Sequence, residues 1–245
     1  MILALGVAGA ESGSVGGAER AEAPVTGCVA KGPSFRDSGP AKGRRVALTF
    51  DGGPTKEYTP RVLSILRRFD VRATFFVRGS FAANHRLLLR RIHRQGHELA
   101  NHSYTHPRYP SGRELQRTNR VIRRVTGFKP CLFRAPYGAI NDALIERARN
   151  QEMLTIGWDV DSWDGFIPNL DAGTIYSRVT GMARPGSIVL MHDGLGLHEG
   201  TIKALPRILR RLKTRNLRQV TVSRLLGLRQ VTAARSRASA PNPGP

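Results

Sequence analysis

The chain has 245 residues, 40% of them hydrophobic, which is enough for one domain with a sizeable core. Lys and Arg number 39 against 18 Asp and Glu, a formal net charge of +21, so the surface attracts polyanions. No run of about eighteen uncharged apolar residues is present, which excludes a membrane-spanning helix, and no helix-turn-helix, zinc-finger or RNA-binding signature accompanies the charge.

Met1 to Ala10 is apolar and ends in the small residues Ala8-Gly9-Ala10. It has the apolar core and cleavage-site character of a secretory signal, although no positive residue precedes it. The expectation is a secreted or cell-wall-associated protein. Residues 1–43 read as this signal-like stretch followed by a Gly-, Ala-, Ser- and Pro-rich linker. Residues 228–245 read as a disordered tail of similar character. Between them, residues 44–227 alternate strands with helices. Strands are predicted near 45–50, 71–78, 97–102, 131–134, 153–159, 187–192 and 218–222. Val62, Ile65, Leu66 and Phe69 form one buried helical stripe. Leu88, Leu89 and Ile92 belong to a second helix that ends at Gly96. Leu205, Ile208, Leu209 and Leu212 form a late stripe. Seven such alternations argue for a parallel sheet, open or closed into a barrel.

Polar residues collect where these strands end. Asp51 follows the strand that begins Val46-Ala47-Leu48, within Thr49-Phe50-Asp51-Gly52-Gly53-Pro54. Asn101-His102-Ser103-Tyr104-Thr105-His106 comes next, then Arg134-Ala135-Pro136-Tyr137, Asp161-Ser162-Trp163-Asp164 and Ile188-Val189-Leu190-Met191-His192-Asp193. In (β/α) barrels the C-terminal ends of the strands carry the chemistry. His102 and His106 are four apart, and on a helical turn that spacing would put both imidazoles on one face to share a metal. Asp51 is a candidate general base for a water attacking a carbonyl. The bland reading is a strand-end carboxylate capping its own turn. His192 ends a very apolar strand and titrates near neutrality, as a general acid should. It could equally be a satisfied core histidine.

These five motifs in this order resemble the polysaccharide deacetylases of carbohydrate esterase family 4. The resemblance covers about residues 44–227 and implies a distorted (β/α) barrel of seven or eight strands. It makes Asp51 the catalytic base, Arg134 its ion-pair partner, His192 the acid and Asp164 the carboxylate that orients His192. It makes His102 and His106 metal ligands, with zinc the default divalent metal. The backbone N–H of Tyr137 would help hold the oxyanion and Leu190 would line the acetyl pocket. Two departures stand out. Gly52 replaces the Asp that is a metal ligand in the family, leaving two histidines, water, or a stand-in such as Asp193 or His198. Gly165 stands where the family carries Trp; Trp163 lies two residues earlier and is the candidate for that wall of the groove. Cys28 and Cys131 are compatible with one disulfide in an exported chain, a pairing that the resemblance favours over two free thiols.

The implied activity is metal-dependent hydrolysis of N-acetyl groups on amino sugars of a polysaccharide, releasing acetate. Peptidoglycan and chitin-type oligosaccharides are the implied substrates, and the basic charge suits anionic cell-wall polymers as partners. The alternative is a catalytically impaired carbohydrate-binding homologue, for which Gly52 is the argument.

Overall fold

The computed structural model describes residues 25–30, 32, 34–194 and 196–232. In chain order its elements are β1 (Val25–Cys28), β2 (Phe35–Arg36), β3 (Arg45–Asp51), α1 (Thr59–Arg68), β4 (Thr74–Val77), α2 (Gly79–Asn84) and α3 (Arg86–Arg94). There follow β5 (Glu98–Asn101), α4 (Gly112–Thr126), β6 (Leu132–Phe133), α5 (Asp142–Arg149), β7 (Leu154–Ile156) and β8 (Val160–Asp161). The last are α6 (Ala172–Met182), β9 (Ile188–His192), α7 (Glu199–Thr214), β10 (Arg218–Val220), α8 (Val222–Leu226) and β11 (Gln230–Thr232).

The main sheet runs β2-β7-β6-β5-β4-β3-β9-β8, and β10 pairs with the first half of β3. Every pairing in it is parallel. Its connectivity forces it to curl. Six strand spacings separate β7 from β8, roughly 29 Å in a flat sheet. Only Gly157, Trp158 and Asp159 link the two strands, a reach of at most about 14 Å. The sheet therefore bends into an open barrel, with its two sides brought together across that short link.

Alternation along β3 separates the two cores. Val46, Leu48 and Phe50 pack outward with Val62, Leu66, Leu205 and Leu209 of α1 and α7. Ala47 packs inward with Phe76, Ala100, Leu132, Ile156 and Ile188. Small residues suit the crowded interior of a barrel. The helices start where their sequence says they should. The Ser111 hydroxyl accepts from the Glu114 N–H at the start of α4, and the Asn141 side chain accepts from Leu144 N–H at the start of α5. The register of β3 sets Asp51 beside Phe76 on one side and His192 on the other.

The seven expected strands are all present, most of them shorter than predicted. β1, β2, β8 and β11 are additional. β1 pairs antiparallel with β11, so parts of the expected linker and tail are ordered strand. β2 adds a parallel edge to β7. The two boundaries move accordingly: 25–28 and 35–36 leave the linker, and 230–232 leaves the tail. The signal-like stretch Met1–Ala10 and the chain beyond Thr232 lie outside the described residues. Composition concealed these strands because they are two to four residues long and sit among Gly and Pro. Cys28 and Cys131 form the expected disulfide, with Cα atoms 5.4 Å apart, tying β1 to the entry of β6.

The disulfide closes a long stretch of chain, with a sequence separation of 103 residues. Replacing both cysteines by Ser is expected to lower unfolding free energy by about 2–4 kcal/mol. An unchanged urea midpoint in the double variant would show that the crosslink constrains nothing that matters to folding.

Candidate active site

Asp51, the last residue of β3, is 2% exposed at the top of the barrel. Arg134, just past β6, is fully buried inside it. Its Nη1 donates to Asp51 Oδ1 at 2.8 Å and to Thr49 Oγ1 at 2.7 Å. Its Nη2 donates to the Gly157 carbonyl at 2.8 Å and its Nε to the Ile156 carbonyl at 3.3 Å. The Phe76 ring lies 4.0 Å from the guanidinium carbon. Burial pushes the Asp51 carboxyl above its ordinary range, and the Arg134 charge offsets only part of that rise. The guanidinium keeps its proton and so favours the carboxylate form of its partner.

His102 and His106 are brought together, though not by a helical turn. The segment is a loop in which Ser103 (φ 61°) and His106 (φ 71°) adopt left-handed backbone. Asn101 Oδ1 accepts from Ser103 N–H at 2.8 Å, and Glu114 accepts from the N–H groups of Tyr104 and Thr105. These bonds hold the loop so that the two Nε2 atoms approach to 3.1 Å. His102 Nε2 is 3.8 Å from Asp51 Oδ2, and its Nδ1 is fixed on the Arg134 carbonyl at 3.0 Å. Burial first, and then nearby positive charges that include Arg78, push both imidazoles down to about 3. Both are therefore neutral, the form in which imidazole ligates a metal.

His192, at the end of β9, faces the opposite side. Its Nδ1 is 2.7 Å from Asp164 Oδ1, and its backbone N–H donates to Asp164 Oδ2 at 2.9 Å. Ser162 and Thr201 hydroxyls donate to the same carboxylate, at 2.8 and 2.6 Å. Burial opposes a charged imidazole, but Asp164 outweighs it and His192 is pushed up to about 9. Asp164, although buried, is held down at about 2 by that imidazolium. Gly165 is a packing necessity: a Cβ there would lie 2.3 Å from His192 Cε1. No larger side chain fits at 165 while His192 keeps this position.

These groups face one cavity of about 790 Å³, lined also by Tyr137, Leu190, Trp158, Phe166, Arg78 and Arg108. Tyr137 sits in left-handed backbone (φ 58°), with its ring edge-on to His106 at 4.6 Å. Leu190 is buried and lines the cavity. Trp163 corrects the expectation. Its backbone is left-handed (φ 67°), and its ring turns away onto Arg178, 3.1 Å from the guanidinium carbon. Trp158 and the exposed Phe166 form the aromatic walls instead. Asp161 holds that turn together, accepting from Trp163 N–H at 2.7 Å and from the Trp158 indole N–H at 3.1 Å. Arg78, directly after β4, was readable as a strand-end residue; Thr201, on a distant helix, carried no sequence signal.

A catalytic zinc site uses three protein ligands, and His102 and His106 could supply two of them. The 3.1 Å between Nε2 atoms is compatible with two imidazoles on one ion, whose zinc–nitrogen bonds run about 2.0–2.1 Å. Among the described residues no group of three His, Cys, Asp or Glu is gathered closely enough to complete it. The two stand-ins are engaged elsewhere. Asp193 accepts from the Thr59 hydroxyl at 2.6 Å and from Gly53 N–H at 3.2 Å, and His198 Nε2 is 3.0 Å from the Gly194 carbonyl. The donor set fits a two-histidine site.

Residues 38–156 match the family model for polysaccharide deacetylases. A peptidoglycan-N-acetylglucosamine deacetylase of Bacillus cereus is 37% identical over 198 residues, covering 77% of this chain and 70% of its own. A solved peptidoglycan N-acetylglucosamine deacetylase superposes with a TM-score of 0.77 at 34% identity, over 80% of this chain and 94% of the other. A CE4 family pseudoenzyme from Bacillus anthracis superposes with a TM-score of 0.73 at 33% identity, over 80% of this chain and 70% of its own.

Asp164→Asn removes the charge that holds the proton on His192 while burial remains. The His192 pKa is expected to fall from about 9 to its ordinary 6.5 or below, read by NMR titration of the imidazole. The sign for stability follows from both shifts. The pair contributes fully between the ordinary values, above 3.8 for Asp164 and below 6.5 for His192. Its contribution is lost as pH falls through about 2 or rises through about 9. A His192 that still titrates near 9 in the variant would show that Asp164 is not the cause.

Proposed function

Because this chain belongs to the polysaccharide deacetylase family, we propose that it hydrolyses N-acetyl groups from amino sugars of a cell-wall polysaccharide, with peptidoglycan as its substrate and acetate as product. The observation that carries this reading is the placement at one cavity of a carboxylate ion-paired with Arg134 and an imidazolium held protonated by Asp164. A group placed to take a proton and a group placed to give one are the requirement for hydrolysing an amide.

Asp51 takes the proton of a water as its oxygen forms a bond to the acetamide carbonyl carbon. The Tyr137 N–H donates to the developing oxyanion. His192 then gives its proton to the sugar nitrogen as the C–N bond breaks, leaving a free amine and acetate. Leu190 packs on the acetyl methyl. His102 and His106 would hold a divalent metal, zinc by the preference of imidazole, and the metal when bound supplies Lewis acidity toward the carbonyl and lowers the pKa of water. The signal-like N-terminus supports export to the wall, where the basic surface favours anionic polymers as partners.

A second reading is a catalytically impaired carbohydrate-binding homologue. Two observations favour it: Gly52 provides no ligand, and Arg78 adds a positive charge to the cavity where a divalent cation would sit. Acetate release from peptidoglycan and from chitin oligomers, with zinc and with chelator, separates the two. Zinc-supported release that chelator abolishes establishes the enzyme; silence on both substrates with zinc bound leaves the binder.

Gly52 has φ 87°, a region that costs an L-residue about 1–2 kcal/mol, least for Asp and Asn. Gly52→Asp is therefore expected to lower stability by that amount while tightening zinc at least tenfold by calorimetry. Arg78→Leu is expected to tighten zinc without the stability loss. Zinc affinities unchanged in both variants would sink the electrostatic account of this site. Asp51→Asn is expected to cut acetate release by about 10²–10⁴-fold. Wild-type turnover is expected to fall as pH rises through about 9, where His192 loses its proton.

A further inference from the structure

The opposite end of the barrel carries a second cavity, of about 510 Å³, among β1, the starts of β5 and β10, and the loops before β4 and α8. A groove of about 700 Å³ adjoins it and shares Arg72 and Arg224 with it. Arg94 lines the first, and Arg45 and Arg218 line the second. Five arginines thus face two carboxylates. Asp70 is ion-paired with Arg72 at 3.1 Å. Glu98 is buried and committed to the fold, accepting from the Thr74 hydroxyl at 2.8 Å and from Ser223 N–H at 3.1 Å.

His97 turns this basic face into a built site. It is 3% exposed and lines the cavity. Its Nδ1 accepts from Ala73 N–H at 3.2 Å, so the ring hydrogen is on Nε2. That Nε2 is buried with no hydrogen-bond partner. Arg45 Nε is likewise buried and without one, while its Nη1 is fixed on the Arg224 carbonyl at 3.0 Å. Buried donors in native proteins are ordinarily satisfied, so two such donors on contiguous cavities point to an acceptor that binds there. Arg94, in the last turn of α3, and Arg224, in the last turn of α8, also offset those helices' dipoles. A dipole role does not account for Arg45, Arg72 or Arg218, nor for the His97 N–H.

We propose that this face binds phosphodiester groups, with one phosphate seated at His97 and the polymer running along the arginine groove. Paired oxyanions suit these forked donors. The lining holds no exposed Phe, Tyr or Trp ring on which a base could stack: Phe128 is buried, and the half-buried His93 ring is packed against it at 5.5 Å. Single-stranded nucleic acid is bound by such rings, so the occupant favoured here is an anionic wall polymer. That choice rests on the proposed peptidoglycan substrate, and it would anchor the enzyme on the wall with the catalytic cavity facing away.

The test uses the full chain and calorimetry with poly(glycerol phosphate), inorganic phosphate and a DNA duplex, beside a separate assay of acetate release from uncharged chitin oligomers. Poly(glycerol phosphate) is expected to bind in a salt-dependent manner, with inorganic phosphate competing weakly. Arg94→Ala with Arg224→Ala is expected to weaken the polymer at least tenfold. His97→Phe, which keeps the ring and removes the donor, should weaken inorganic phosphate. Arg120→Ala with Arg123→Ala, an equal charge loss on the exposed face of α4, should change polymer affinity less than twofold. Acetate release should be the same in all of them. Equal weakening by the two arginine pairs would reduce the effect to net charge and overturn the site. Binding of phosphate without the polymer, or tighter DNA binding lost in the same variant, would overturn the wall-polymer assignment. Because binding and acetate release are read separately, failure of this site leaves the deacetylase reading standing, and the reverse.

Discussion

The Arg134–Asp51 ion pair is the constraint on which the barrel and its chemistry both depend. A guanidinium with no exposed surface must have every charge-bearing N–H engaged, because an unpaired buried charge costs several kcal/mol. Arg134 engages all three guanidinium nitrogens, with a carboxylate and a hydroxyl from β3 and two carbonyls from the end of β7. The Ile156 carbonyl ends β7, and the Gly157 carbonyl opens the short link that draws the two sides of the sheet together. The same side chain that fixes the base therefore also fixes the curl. Removing Asp51 would strand Arg134, so its loss of activity would come with loss of stability.

The second pair applies the same logic with the roles reversed. At Asp51 the permanent charge is the arginine, and the functional group is the carboxylate. At His192 the carboxylate of Asp164 is the fixed member, clamped by Ser162 and Thr201, and the functional group is the imidazole. Burial acts on both functional groups against their charged forms, and each partner opposes it, in part at Asp51 and more than fully at His192. That is how one low-dielectric cavity keeps a base and an acid ready at the same pH. Gly165 belongs to this arrangement, since its missing side chain is the space that the His192 ring fills.

The sequence made legible what depends on periodicity and on strand ends. The stripes from Val62 to Phe69 and from Leu205 to Leu212 follow from spacing, and strand ends marked Asp51, His102, Arg134 and His192. It left obscure what depends on loop backbone. The His102–His106 spacing argued for a helical turn, yet the rings meet through two left-handed residues held by Asn101 and Glu114. Trp163 looked like a groove wall because proximity in sequence cannot show which way a left-handed turn sends a ring. Trp158 occupies the wall because Asp161 holds its indole N–H. β1 and β11 were hidden because each is meaningful only as the other's partner.

Gly52 and Arg78 together change the electrostatics of the cavity more than either does alone. The family carries an acid at the first position; here there is no charge, and Arg78 lines the same space. A dication there would lack an attractive partner and face a repulsive one. The tetrahedral oxyanion that forms during amide hydrolysis has the opposite sign, so the same arginine lowers its energy, most of all where water is excluded. Affinity for the metal and stabilisation of the developing negative charge are thus separable properties of this site. If the two histidines hold an ion only weakly, as we propose, a basic wall would retain part of the electrostatic work that a tightly bound metal would otherwise do.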